Sequence, residues 1–139
     1  MRHRQKGSRL GRTSNKLKAL LRSLVTSFIL NEKMVTTQAK AKALIPVFDR
    51  LVIKARKNSE MNAIRELKKV IYGEAAQRKF MQDILPRLEG RPSGFTKTIK
   101  IGFRAGDNAP AVRIEILSPA KAEEVSVERD SAVSEKTEA

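Results

Sequence analysis

Residues 95–116 read FTKTIKIGFRAGDNAPAVRIEI, and this stretch decides the fold class. Phe95, Ile99, Ile101 and Phe103 alternate with Thr96, Thr98, Lys100 and Arg104, a period of two. Ala105 to Pro110 contains Gly106-Asp107-Asn108, a loop signal. Val112, Ile114 and Ile116 then alternate with Arg113 and Glu115. Two alternating runs around a short polar loop make an antiparallel hairpin. Successive strand side chains point to opposite faces, so this reading places Ile101 in the core and Lys100 outside. The outer face is expected to carry Lys97, Lys100, Arg104 and Arg113.

Upstream the apolar period is 3.6. Thr13 and Ser14 are N-cap candidates for a helix running to about Leu30. Leu17, Leu20, Leu21, Leu24, Val25, Phe28 and Ile29 form its stripe, with Lys16, Lys18 and Arg22 off it. Met34 to Thr37 is a short β-branched segment that can join the hairpin as a third strand. A second helix is expected from Gln38 to about Arg56, with Leu44, Phe48, Leu51, Val52 and Ala55 inward and Pro46 kinking or interrupting it. Asn58 and Ser59 cap a third, with Met61, Ile64, Leu67 and Ile71 inward and Gly73 as its stop. Phe80, Ile84, Leu85 and Leu88 indicate a fourth, interrupted near Pro86. The result is an α+β domain over residues 13–118, three to four helices packed on a small sheet. A basic arm precedes it at residues 1–12, and an acidic tail at 119–139, without apolar period, is expected to be disordered.

The charge is unevenly spread along this plan. The 139 residues carry 29 Lys and Arg against 15 Asp and Glu, a formal net charge of +14. Residues 1–58 hold 15 cations and 2 acids, whereas residues 119–139 hold 3 and 6. Such an excess attracts polyanions, either a nucleic acid or an anionic membrane surface. No apolar run approaches the ~18 residues that a membrane helix needs, so a membrane is not an expected partner.

Catalytic classes fall away in turn. There is no cysteine and a single histidine, His3, which excludes disulfides, thiol catalysis, Cys-based zinc sites and His-based triads. Neither phosphate-binding glycine pattern occurs, so no nucleotide cofactor, metal or small-molecule substrate is expected. Asp49, Glu60, Glu66, Glu74, Asp83 and Glu89 lie among basic residues and read as solvated helix faces with i,i+4 ion pairs. The protein reads as a non-enzyme.

The functional signal is the arm. Arg2, Arg4, Lys6, Arg9 and Arg12 recur every two to three residues on a glycine-containing backbone, with His3 among them. Such a segment can take up a phosphate at each step and order on binding. No helix-turn-helix or zinc finger is evident, and folded RNA offers crevices of high phosphate density, so RNA is preferred over DNA. The one tyrosine and five phenylalanines fall mostly on core positions, which argues against a base-stacking platform. Two alternatives remain open at this point, a nucleoid-type DNA-binding protein and an RNA-processing enzyme.

Several short motifs then share one order and spacing. Met1-Arg2-His3 leads to Gly11-Arg12-Thr13-Ser14, Val35-Thr36-Thr37 to Ala39-Lys40-Ala41-Lys42, and Arg91-Pro92-Ser93-Gly94-Phe95-Thr96-Lys97 to Gly106-Asp107-Asn108-Ala109-Pro110. Across residues 1–118 this resembles the bacterial large-subunit ribosomal protein seventeen family. The resemblance implies a structural component of the large subunit, bound to the large ribosomal RNA near the exit end of the polypeptide tunnel and beside neighbouring ribosomal proteins. It implies no catalysis, a cytoplasmic (or organellar) location, and residues 1–31 that belong to the family pattern rather than to a transit peptide. Asn15-Lys16-Leu17 stand where the family usually has Ser-His-Arg, and Ser93 and Phe95 where Gly and Tyr are usual. The candidate RNA-contacting set is therefore Arg2, His3, Arg4, Lys6, Arg9, Arg12, Thr13, Ser14, Lys16, Lys18, Arg22, Lys40, Lys42, Arg91, Lys97, Lys100 and Arg104.

Overall fold

The first apolar stripe becomes α1 (Ser14–Asn31), which buries Val25, Phe28 and Ile29 completely. The computed structural model describes residues 8–117. After α1 come β1 (Lys33–Thr37), α2 (Gln38–Lys57), α3 (Glu60–Val70), α4 (Glu74–Lys79), a π-helical turn (Phe80–Ile84), α5 (Leu85–Leu88), β2 (Thr96–Phe103) and β3 (Pro110–Ile116). This is the expected α+β order, and β1 does join the hairpin, giving an antiparallel sheet ordered β1-β3-β2. What was expected of the tail and of residues 1–7 lies outside the described residues.

The core is entirely apolar and centres on three rings. Phe48 of α2 lies 5.2 Å from Phe28 of α1 and 6.2 Å from Phe80 of the π turn, both edge-to-face. Rings in that geometry contribute about 0.5–1.5 kcal/mol beyond the area they bury. Leu44, Leu51 and Val52 of α2, Leu67 of α3, Ile84 and Leu88 complete the helical layer. Val112 and Ile114 of β3 and Phe95 ahead of β2 join it from the sheet. Arg56 turns inward at the end of α2: its Nη1 donates to the Arg91 carbonyl at 2.6 Å, its Nη2 to that of Leu88, and its guanidinium lies 4.9 Å from the Phe95 ring centre.

Pro46 does not interrupt α2; the Pro46 carbonyl accepts a hydrogen bond from Arg50 Nε at 2.9 Å. Pro86 falls in the first turn of α5, where a missing N–H costs little, and the irregularity sits upstream at the π turn. Met61 is 66% exposed, contrary to expectation, because Ala63 and Leu67 supply the inward face of α3.

The register of β2 is also corrected. Thr98 pairs with Ile114, Ile99 with Arg113 and Lys100 with Val112. Cross-strand partners share a face, so Ile99 lies opposite the core row and Lys100 lies on the core side. A bulge then adds Ile101 between Lys100 and Gly102. Ile101 is 56% and Phe103 72% exposed, because β2 runs past the helical layer and residues 101–108 are all exposed. Apolar alternation on an edge strand marked a projecting hairpin, not a core row.

One acid ties these parts together. Glu32 follows α1 in a left-handed conformation (φ 59°), and its N–H donates to the Phe28 carbonyl at 2.8 Å. Both Nη atoms of Arg87 donate to its carboxylate at 3.0 Å, and Lys79 Nζ lies 3.0 Å away. Its carbonyl accepts from the Ile116 N–H at 3.0 Å. The Arg87 hydrogen bonds, with help from Lys79 against partial burial, pull the Glu32 carboxyl down to about 2.

Two predictions follow from this architecture. The Glu32 contribution is complete above an unfolded pKa near 4.5 and is lost as pH falls through about 2. Because 31% of that side chain stays exposed, Glu32→Gln costs about 1–2 kcal/mol at pH 7 after discounting for solvent screening. Urea titrations should show wild type and variant converging as pH is lowered to about 2. Ile101→Lys should leave the thermal midpoint almost unmoved, within about 0.5 kcal/mol. Ile114→Lys, which buries an unpaired charge, should unfold the domain in the same melts.

Candidate nucleic-acid interface

A cleft of about 750 Å³ lies between the first half of α1 and α2 up to Arg50. Its floor is apolar, made by Leu17 and Leu21 of α1 and Ala43 and Val47 of α2. Its walls carry Arg9, Lys42 and Arg50, with the hydroxyls of Ser8, Thr13 and Ser14, and no acid lines it. Thr13 stands at the N-cap of α1, yet no side chain caps that helix and its first turn holds no acid. The first amides of a helix point outward with a partial positive charge, so this end of the cleft adds donors suited to an anion. Thr37 leaves the start of α2 in the same condition.

The cleft continues into a stripe along α2. Lys42, Pro46, Arg50, Lys54 and Lys57 recur at helical spacing, and all are exposed. From Lys42 to Lys57 the helix rises about 22 Å at 1.5 Å per residue. Asp49, the one acid of α2, is half-buried; burial raises its carboxyl pKa, against a smaller opposing pull from the Phe95 N–H. At its far end the stripe meets a depression lined by Lys54, Lys57, Asn58, Asn62, Arg65, Glu66 and Lys69. There Glu66 bridges Lys69 and Lys54, which lower its pKa in that order.

The expected contact residues divide among several places. Arg9, Thr13, Ser14 and Lys42 meet in the cleft. Lys16 and Lys18 are exposed on α1, Lys40 is half-buried on α2, and Arg12 and Arg91 are exposed in turns. Arg22 is committed internally: its guanidinium lies 4.0 Å over the Tyr72 ring, and its Nη2 donates to the Lys68 carbonyl at 3.5 Å. Lys97, Lys100 and Arg104 lie on the hairpin rather than beside the cleft. Arg104 is held by Asp107, Nε to Oδ1 at 3.0 Å and Nη2 to Oδ2 at 2.5 Å, an interaction that brings the Asp107 carboxyl to about 2. Arg2, His3, Arg4 and Lys6 lie outside the described residues.

Arg50, Lys54, Lys57, Arg65 and Lys69 were missed in the sequence. Their signal was present as i,i+3 and i,i+4 spacing on the outer faces of α2 and α3, hidden by attention to the inner faces. Among the described residues no three His, Cys, Asp or Glu side chains gather to hold a metal ion, and no helix is long and apolar enough to cross a membrane. An acid-free cleft with an apolar floor and cationic walls can hold a sugar–phosphate strand, phosphates on the walls and sugars or bases below.

Comparison with known proteins places the chain in a family. The family model described as Ribosomal protein L17 matches residues 20–117. The large ribosomal subunit protein bL17 of Syntrophotalea carbinolica is 44% identical over 117 residues, 84% of this chain and 75% of that protein. Its counterpart in Thermomicrobium roseum is 42% identical, over 85% of this chain and all of that protein. That of Thermodesulfovibrio yellowstonii is 40% identical, over 91% of this chain and 94% of its own length. With the family match running from within α1 to the end of the sheet, and identity of this order over most of the chain, the protein belongs to the ribosomal protein L17 family, a family of structural ribosomal proteins and not of enzymes.

Proposed function

We propose that the protein is a structural constituent of the large ribosomal subunit in the cytoplasm, binding the large ribosomal RNA near the exit end of the polypeptide tunnel. Neighbouring large-subunit proteins are its other partners. The observation that carries the RNA contact is the acid-free cleft walled by Arg9, Lys42 and Arg50 and continued by Lys54 and Lys57. The family match supports the subunit, and the motif resemblance supports the location near the tunnel exit. Arg9 lines the cleft, and Arg2, Arg4, Lys6 and Arg12 are read from the sequence as further phosphate contacts.

Binding to in vitro transcribed large ribosomal RNA should be strongly salt-dependent. A protein that neutralises six or more phosphates loses roughly three decades of affinity between 50 and 200 mM salt on duplex DNA, and somewhat less on RNA. The double variant Lys42→Glu with Arg50→Glu should melt as the wild type does, since both side chains are exposed. It should lower affinity and flatten the log–log salt slope by about 1.5, the share of two phosphates. An unchanged slope would remove the cleft from the interface, and tighter binding to duplex DNA at matched salt would favour a nucleoid role instead. Deleting residues 2–12 should likewise weaken RNA binding and incorporation into the subunit while leaving the melt intact.

A further inference from the structure

The hairpin tip carries a second feature that phosphate binding does not explain. Four of the five phenylalanines are completely buried, and the fifth, Phe103, is 72% exposed at the end of β2. Bare alternation would put residues three apart on opposite faces of a strand. The bulge at Ile101 changes that: Lys100 pairs with Val112 and Phe103 with Pro110, and Val112 and Pro110 lie on one face of β3. Lys100, Phe103 and Pro110 therefore share a face, and all three are exposed beyond the helices. Gly102 makes this possible with φ 133°, a conformation that a side chain would strain.

The tip is also stiff. Arg104 N–H donates to the Ala109 carbonyl at 2.9 Å, and Asn108 N–H to the Arg104 carbonyl at 3.0 Å. The two-bond Arg104–Asp107 pair closes the loop and cancels its own charge. The salt bridges among the described residues do not include Lys100, so the charge left on the face that Phe103 shares is cationic. Lys100 and Phe103 stand two steps of the partner strand apart, about 7 Å, the scale of one nucleotide.

Resting on the RNA-binding reading above, we infer that Phe103 is a stacking platform for an unpaired base of the bound RNA, with Lys100 taking the phosphate of the same or the adjoining nucleotide. An exposed ring beside a free ammonium complements a flat apolar base attached to an anion. Charge decides against an apolar protein segment as the occupant, since such a partner would leave Lys100, on the same face as the ring, unanswered. The cleft and stripe on α2 hold the backbone, and the tip reads a position where the RNA is not paired.

The experiment uses the full chain and in vitro transcribed large ribosomal RNA. Phe103→Leu should leave the thermal melt and the salt slope unchanged but weaken binding by roughly 5- to 100-fold, the range for loss of one base–aromatic stack. Phe103→Trp should bind within about twofold of wild type, because indole also stacks. The chain has no other tryptophan, so that variant's fluorescence reports on position 103 alone and should be quenched as RNA saturates. Equal binding by the Leu variant, or an indole signal that RNA does not change, overturns the stacking assignment. So does normal RNA binding by the Leu variant combined with failure to enter subunits, which would assign Phe103 to a neighbouring protein. The Lys42→Glu, Arg50→Glu variant, run in parallel, tests the underlying reading separately: its salt slope fails if the cleft is not the phosphate site, whatever position 103 does.

Discussion

Phe48 sits edge-on between Phe28 and Phe80, and most of the molecule's geometry depends on that contact. It fixes α2 against α1 on one side and against the π turn on the other. Truncating a ring so placed costs about 3–5 kcal/mol, a large part of the stability of a domain this size. The cleft is the surface consequence of the same packing. Phe28 and Phe48 meet in the later parts of their helices, and the cleft lies beside Leu17 and Leu21 of α1 and the small Ala39, Ala43 and Val47 of α2. Among the described residues no polar or charged side chain is fully buried, so most cations face outward, Arg22 and Arg56 being tied to internal partners.

The acids are distributed so that the outward charge is not uniform. Glu32 serves Arg87 and Lys79, Glu66 serves Lys54 and Lys69, and Glu74, Asp107 and Glu115 each hold one arginine. All these pairs lie away from the cleft, which has no acid of its own. Exposed pairs of this kind contribute little stability, about 0–1 kcal/mol each. Their effect is local neutralisation, which leaves the wall of α1 and α2 as the region of concentrated positive potential. Like charges held close there oppose the folded state slightly, and a polyanion that binds only the folded protein reverses the sign by mass action.

What could be read in advance follows from the period of each segment. The stripe from Leu17 to Ile29 is long, strongly periodic and faces a single core, so α1 was legible almost to the residue. The three-stranded sheet was legible because β-branched residues recur in β1 and β3 with the right alternation. The register of β2 was not, since Ile99, Ile101 and Phe103 alternate as a core row would while the core row lies on Val112 and Ile114. A bulge leaves no mark in a sequence beyond its glycine, and Gly102 stands in a run that reads equally well without one. The arm's cations drew attention to chain order, whereas the cleft joins residues forty positions apart. Only the folded positions of α1 and α2 bring Arg9 beside Lys42 and Arg50.

The two proposed surfaces would divide recognition along physical lines. Phosphate contacts in the cleft act at long range, respond to salt and would hold any strand of suitable curvature; they orient but do not select. Stacking at the hairpin tip acts at contact distance, is indifferent to salt and requires a base free of its partner. Both are carried by α2, directly in the cleft and through Arg56 at its other end, whose guanidinium holds the chain at Leu88, Arg91 and Phe95 where it turns into β2. The separation of the two proposed sites is thus carried by α2, the sheet packed on it and the Arg56 contacts, all parts of one folded core. A reader built this way would match an RNA whose backbone crevice and unpaired base are themselves held at a fixed separation, which a folded RNA can provide and a uniform duplex cannot.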